Sequence, residues 1–372
     1  VVGEAIVVLG GGNTAFAVAA KLALEGHAVV LWEAPAQAAS IAPVRTGRQL
    51  RLTGAGGEGT ATLAAVTTEA AEALAAGRVL LAPVPSYAHR AFGELLVPHL
   101  RPDHLLALLP GNLGSLAFAR WLRERGCAPD TNGPLLCESD TAPYVCRKLG
   151  PDHAHIWGVV SGMGIGVLPA SRTEEALAAL APLFPGLRTY PNALAAGLGA
   201  MNPIVHPPGV LLNAGRIEYS RGEFYFYEEG VTPGVARVIE ALDAERRALA
   251  RAAGLELPPV AEAFWTAGFG PKGDLWATIN GSRMLTQLKA PGSLQTRWLS
   301  EDVPYGLRTW VELGEQLGVA MPLARALVTL GDVVMGSDSW RTGRSLAELG
   351  IEGLDRAALE RYLWSGEPIP DH

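Results

Sequence analysis

Residues 6–33, IVVLGGGNTAFAVAAKLALEGHAVVLWE, limit what this chain can fold into more than any other stretch. An apolar run, Ile6 to Leu9, meets Gly10-Gly11-Gly12-Asn13-Thr14-Ala15. An amphipathic helix pattern continues to Gly26, and a second apolar run, Ala28 to Trp32, ends on Glu33. This order predicts a βαβ unit. Its G-x-G-x-x-A spacing has a mechanical reading: Gly10 makes the tight turn, Gly12 admits a pyrophosphate against the backbone, and Ala15 lets helix and strand pack closely. Asn13 and Thr14 open the helix, whose N-terminal N–H groups and dipole face the phosphates. Glu33 stands where a carboxylate accepts hydrogen bonds from an adenosine ribose, about 20 residues past the glycines.

The chain of 372 residues has room for two domains, each with its own core. A hydrophobic fraction of 49% and a charged fraction of 18% place it among globular proteins. The net charge of -7 leaves no basic excess, which argues against nucleic acid as a partner. No apolar run approaches the roughly 18 residues of a membrane span. Cys127, Cys137 and Cys146 lack a C-x-x-C spacing, so no metal site is expected; the default reading of all three is a buried thiol. No secretory segment precedes the first strand, and a reducing cytoplasm is the expected location. The chain starts on Val1, as expected after trimming or processing.

Strand and helix patterns keep alternating after the first unit: apolar Val79 to Ala82, helix-like Ser86 to Leu100, apolar Leu105 to Leu109, helix-like Leu113 to Arg125, then Leu135 to Cys137, Ile156 to Val160, and a helix from Glu174 to Phe184. The expected fold is α/β, a Rossmann-type doubly wound parallel sheet over residues 1–186. A mostly α-helical domain is expected over residues 187–372, on the patterns Val231 to Gly254, Pro258 to Thr266, Tyr305 to Leu317, Pro322 to Met335 and Leu354 to Trp364. An active site is expected between the two. A homodimer through the helical domain is compatible with this layout.

Two further loops follow strands, Pro83-Val84-Pro85-Ser86 and Pro110-Gly111-Asn112-Leu113-Gly114, and Pro83 and Asn112 are the candidate cofactor contacts there. Both loops are also ordinary strand-to-helix connectors. The segment Glu138-Ser139-Asp140-Thr141-Ala142-Pro143-Tyr144 gathers polar groups that could hold a substrate or simply cap a helix. In Met201-Asn202-Pro203-Ile204-Val205-His206-Pro207-Pro208-Gly209 the prolines argue against a regular helix, so His206 is expected on a loop facing a cleft. Asp302, in Ser300-Glu301-Asp302-Val303-Pro304, could orient that imidazole for proton transfer, and Arg297 could fork a carboxylate.

Together the segments GGGNTA, ESDTAPYVCR, NPIVHPPGVLLNAG and RWLSEDVPYGL resemble the octopine/nopaline dehydrogenase family, the opine dehydrogenases, over nearly the whole chain. The last two segments carry the specific part of the likeness. The resemblance implies condensation of a 2-oxo acid such as pyruvate with the amino group of an L-amino acid, followed by NAD(P)H reduction of the imine. It implies His206 as general acid/base, Asp302 as its partner, Arg297 as a carboxylate anchor, and Glu138 or Thr141 at the substrate pocket. Glu33, with neither Arg nor Lys between Trp32 and Arg45, points to NADH over NADPH, which stays open.

Two other readings compete. One is a 2-oxo or 3-oxo acid reductase of the ketopantoate reductase or glycerol-3-phosphate dehydrogenase type. That likeness needs a lysine in the helical domain, and only Lys272 and Lys289 follow residue 150, neither in a site motif. The other is a non-catalytic NAD(P)-sensing protein, against which His206, Asp302 and Arg297 argue.

Overall fold

The computed structural model describes residues 4–130 and 133–367. The chain divides into two compact units, the described residues of Val1–Gly197 with those of Tyr362–His372, and Leu198–Arg361. The division falls at residue 197 instead of the expected 186 because β12 (Arg188–Thr189) still pairs with β11 (Gly164–Leu168) in the first unit. The C-terminal segment also belongs to the first unit, where Arg123 lies 4.8 Å over the ring of Tyr362.

The first unit is built on parallel strands in the order β5 (Ala65–Thr67), β2 (Val29–Trp32), β1 (Ile6–Leu9), β6 (Val79–Ala82), β7 (Leu105–Leu108), β8 (Leu135–Ser139). Each pair in this run is parallel, which gives the doubly wound order with its switch point between β1 and β6. Strands β1 and β2 are buried along their whole length, as two-sided coverage requires. Helix α1 (Asn13–Leu24) is buried along most of its length, including its run of small residues Ala15, Ala17, Ala19 and Ala20. Helices α2 (His89–Leu96), α3 (Gly114–Arg123) and α4 (Thr173–Leu180) continue the alternation.

Two features depart from the expected sheet. β11 runs antiparallel to β8, so the sheet is mixed at that edge. The apolar run at Ile156 belongs to β10 (His153–Val159), in a second, four-stranded sheet ordered β4 (Gly59–Thr62), β3 (Gln49–Gly54), β10, β9 (Tyr144–Gly150). Its strands are half-exposed and alternate in burial, a pattern too weak beside the fully apolar runs to announce a separate sheet.

The second unit is helical. Helices α5 (Asn202–Leu212), α6 (Pro233–Ala252), α7 (Arg308–Gln316) and α8 (Pro322–Met335) form its frame. α5 overturns the expected loop around His206. Prolines 207 and 208 remove two intrahelical donors, but their fixed φ suits a helix, Pro203 lies in the first turn, and residues 203–210 are all buried. The C-terminal end is held by the Asn213 side-chain amide, which donates to Gly209 O at 2.8 Å and Gly230 O at 3.0 Å. Among the described residues no helix is long and apolar enough to cross a membrane. Nor are all three thiols buried: Cys137 is, Cys146 is half-buried and Cys127 is exposed.

Asp140 ties the mixed edge of the sheet together. Its Oδ1 accepts from Gly164 N at 2.9 Å and its Oδ2 from the Tyr190 hydroxyl at 3.0 Å. Burial pushes its carboxyl up from 3.8 to about 6, against the pull of the Gly164 amide and Arg188. With the folded value above the unfolded one, the native state holds the extra proton between these values, so this group makes stability fall as pH rises from about 4 to 7. Asp140→Asn should lack that loss, on the order of 2 kcal/mol. Urea denaturation of both proteins at pH 4.5 and 7.5 checks it: the variant should gain on the wild type at the higher pH, and a pH-independent difference would refute the assignment.

Candidate functional site

The loop after β1 has the shape its glycines predict. Gly10 adopts φ +113, which favours glycine, and a Cβ there would lie 2.6 Å from Val84 Cγ1. At Gly11 a Cβ would lie 2.0 Å from Ser40 Oγ, whereas at Gly12 nothing is met within 4 Å. Gly12 is therefore the exposed point where a phosphate can reach the backbone, and no side chain caps the N-terminus of α1. Ala15 is fully buried beneath the turn. Asn13 and Thr14 are half-buried; Asn13 Oδ1 accepts from Lys148 N at 2.9 Å, and Thr14 Oγ1 lies 3.9 Å from Cys146 Sγ.

Glu33 is buried at the end of β2 and turned back to this loop. Its Oε2 accepts from Gly11 N at 2.6 Å and Ser40 Oγ at 3.0 Å, and its Oε1 from Ala34 N at 2.9 Å. Three donors fix the carboxylate in the place a ribose-binding acid occupies. Pro83 is buried just beyond β6, on the other side of the switch point. The loop residues thus fit a dinucleotide: a glycine turn, an open backbone approach, an uncapped helix start and a pre-oriented acid.

Asn112 and Leu113 have φ +45 and +65, an uncommon pair of left-handed residues without a glycine. Asn112 donates to Ser86 Oγ at 2.9 Å, linking the two loops named from the sequence. What holds this turn is Glu138, fully buried, whose Oε1 accepts from Leu113 N at 2.8 Å and whose Oε2 accepts from Ser115 N at 2.9 Å and Ser115 Oγ at 2.6 Å. Turn amides of this kind make an anion nest, and Glu138 is the anion. Glu138 thereby fixes the start of α3; the resemblance implied Glu138 or Thr141 at the border of the substrate pocket. Thr141 is buried, with its carbonyl accepting from Ser139 Oγ at 2.7 Å.

In the second unit His206 and Asp302 meet, although 96 residues separate them: His206 Nδ1 lies 2.7 Å from Asp302 Oδ2. Both are buried. The approach depends on Gly306, where a Cβ would lie 2.6 Å from Pro203 Cγ; without one, the turn Val303–Leu307 seats against the start of α5. Two residues the sequence reading missed complete the group. Tyr227 places its hydroxyl 3.0 Å from His206 Nε2, and Trp298 stacks on the imidazole with ring centroids 4.5 Å apart and planes 12° apart. Tyr227 stands in no segment singled out from the sequence, whereas Trp298 lies inside RWLSEDVPYGL beside Arg297, and only the fold reveals that it stacks on the imidazole.

Burial pushes the Asp302 carboxyl above its ordinary range, and the His206 hydrogen bond opposes that push. Burial and the Asp302 charge both push the Tyr227 phenol above its ordinary value, so it stays neutral. Arg297, with a side chain 56% exposed, turns Nε and Nη2 to Glu301 Oε2 at 3.0 and 2.9 Å, next in sequence to Asp302. Lys289, one of the two lysines of the helical domain, pairs with Glu223 on the surface, while Lys272 lies 5.0 Å over the Trp265 ring.

A dinucleotide-binding sheet and a helical unit carrying a buried acid–imidazole pair define a two-domain nicotinamide-dependent oxidoreductase. Residues 189–335 match the family model for NAD/NADP octopine/nopaline dehydrogenase, alpha-helical domain. Opine dehydrogenase from Arthrobacter sp. (strain 1C) is 32% identical over 353 residues, covering 95% of this chain and 96% of the relative. Two solved structures of octopine dehydrogenase, one with NADH and L-arginine and one with NADH and pyruvate, match with TM-scores of 0.76 and 0.75. They are 18% and 19% identical, and each comparison covers 99% of both chains. The chain belongs to the octopine/nopaline (opine) dehydrogenase family of NAD(P)-dependent oxidoreductases.

The glycine geometry separates two substitutions that look alike in sequence. Gly12→Ala should leave stability unchanged and weaken NADH binding at least tenfold, because its methyl occupies the phosphate approach. Gly11→Ala should destabilise the fold by roughly 1 to 3 kcal/mol, since Ser40 and Ile41 must move. Thermal melts with NADH fluorescence titration check both; a Gly12→Ala protein that binds NADH normally would contradict the loop assignment.

Proposed function

We propose that this enzyme joins a pyruvate-like 2-oxo acid to the amino group of an L-amino acid through an imine, with NADH as the preferred reductant, and runs the reverse oxidation. The observation that carries the reading is the buried bond between His206 and Asp302, completed by Tyr227 at the other ring nitrogen. The ligands of the two octopine dehydrogenase structures, L-arginine and pyruvate, support the substrate classes.

An ionised Asp302 keeps the proton of a neutral His206 on Nδ1, so Nε2 carries a lone pair and accepts from the Tyr227 hydroxyl. Imine formation requires a proton to leave the amine and another to reach the carbinolamine oxygen, which departs as water. His206 performs both transfers through Nε2, with the neutral Tyr227 hydroxyl passing the proton on. As His206 becomes cationic, Asp302 balances the charge, and the Trp298 ring face favours the imidazolium. Gly10, Gly12, the first residues of α1 and Glu33 hold the dinucleotide, with Pro83 and Asn112 at its flanks. When bound, NADH supplies the hydride for the imine carbon. Arg297, aligned by Glu301, anchors a substrate carboxylate, and Thr141 borders the substrate. The absence of paired half-cystines and of a membrane-spanning helix among the described residues supports the cytoplasm as the place of work.

NADH oxidation should need both substrates: pyruvate alone or an L-amino acid alone should give little turnover, and the pair a strong rate. Equal rates with and without the amine would move the enzyme to oxo-acid reduction. With the full mixture, kcat/KM should favour NADH over NADPH.

His206→Ala and Asp302→Asn should each lower kcat by on the order of a hundredfold, with NADH affinity unchanged. Tyr227→Phe should lower kcat by on the order of tenfold. Arg297→Ala should raise KM for the oxo acid by on the order of tenfold, a modest effect because the guanidinium is half in solvent. Steady-state kinetics with NADH fluorescence titration on each variant decide the roles, and near-normal turnover by His206→Ala would end the mechanism.

A further inference from the structure

No lysine or arginine follows Glu33 closely in sequence, yet the fold brings one to its side. β9 crosses the glycine loop and delivers Lys148 from far along the chain. The Lys148 main-chain N–H donates to Asn13 Oδ1 at 2.9 Å, which fixes the strand to the start of α1. Its ammonium donates to Gly11 O at 3.3 Å and Ser40 O at 3.1 Å, and lies 3.5 Å from the Phe16 ring centroid. The same Ser40 donates its hydroxyl to Glu33 Oε2. Lys148 and Ser40 therefore flank the carboxylate that marks the 2′ edge of the adenosine ribose.

An ammonium has three N–H donors, and the two carbonyls take two of them. Among the described residues Lys148 forms no ion pair. It is a half-buried cation held by two carbonyls and the Phe16 ring, close enough to Glu33 to feel its charge. We infer that Lys148 receives the 2′-phosphate of NADPH, so that this site takes both nicotinamide cofactors although Glu33 alone would reject the phosphorylated one. The inference rests on the dinucleotide reading of the loop and adds a selectivity-determining residue to it. Glu33 pairs with a free 2′-hydroxyl and repels a 2′-phosphate; Lys148 offsets that repulsion at short range. Burial pushes the Lys148 ammonium below its ordinary value, with Glu33 opposing, and an arriving phosphate strengthens the charged form in the same way.

Adenosine 2′,5′-bisphosphate and 5′-AMP test this without the nicotinamide or turnover. Calorimetric titrations of both fragments, and of NADPH and NADH, should be run on wild type, Lys148→Met and Lys148→Arg. Lys148→Met should weaken the bisphosphate and NADPH at least tenfold while 5′-AMP and NADH change less than threefold. Lys148→Arg should keep most of the bisphosphate affinity. Equal losses for both fragments would show that Lys148 only straps the loop, and unchanged affinities would show that the phosphate lies elsewhere; either overturns the inference. If the wild type binds 5′-AMP and NADH but the lysine variants fail this pattern, the dinucleotide reading stands and Lys148 alone is rejected. If the wild type binds neither, both fall.

Discussion

A buried carboxylate is costly unless a proton or a strong donor reaches it, and for Asp302 in the helical unit that donor is His206, at 2.7 Å. Much of the unit is arranged to allow it. Gly306 lets the Asp302 turn close on Pro203, Gly209 lets Phe226 approach α5 where a Cβ would lie 2.5 Å from its ring, and Phe226 carries Tyr227 to the second imidazole nitrogen. Trp298, one residue past Arg297, covers the imidazole face and touches Phe226 as well, with centroids 4.5 Å apart. The imidazole is thus held at both nitrogens and one face, which leaves its tautomer determined by its neighbours.

The first unit applies the same logic to backbone amides. Glu33 and Glu138 are both buried acids that collect main-chain donors, one at the glycine loop and one at the turn before α3. Each fixes a loop at the C-terminal end of the parallel strands, where a doubly wound sheet binds ligands. Residue type alone did not distinguish their surroundings: one acid binds the amides of Gly11 and Ala34, the other those of Leu113 and Ser115, beside the left-handed Asn112 and Leu113.

The parts legible in the sequence were those with strong periodicity or fixed spacing. β1, α1 and β2 follow the glycine pattern, β6 spans Val79–Ala82 as its apolar run does, and α8 spans Pro322–Met335. The pairing of His206 with Asp302 was readable as chemistry, though its distance was not. The proline argument at His206 failed because burial of the whole segment outweighs two missing hydrogen bonds. The second sheet was missed because β3 and β9 expose alternate residues and β3 pairs with β10 across a long sequence gap. The parts played by Lys148, Tyr227 and Trp298 were not legible for a related reason, although Trp298 lies within the quoted RWLSEDVPYGL: each acts through a neighbour that only tertiary folding supplies.

The state of one imidazole tests the arrangement most directly. Nitrogen-15 NMR of His206 in the folded protein at neutral pH, assigned by its loss in His206→Ala, reports which ring nitrogen carries hydrogen. The proton should reside on Nδ1, facing Asp302, with Nε2 an unprotonated acceptor for Tyr227. A neutral ring protonated on Nε2 would contradict the relay, because Asp302 would then be a hydrogen-bonded acid and the nitrogen facing Tyr227 would have no lone pair with which to take a proton.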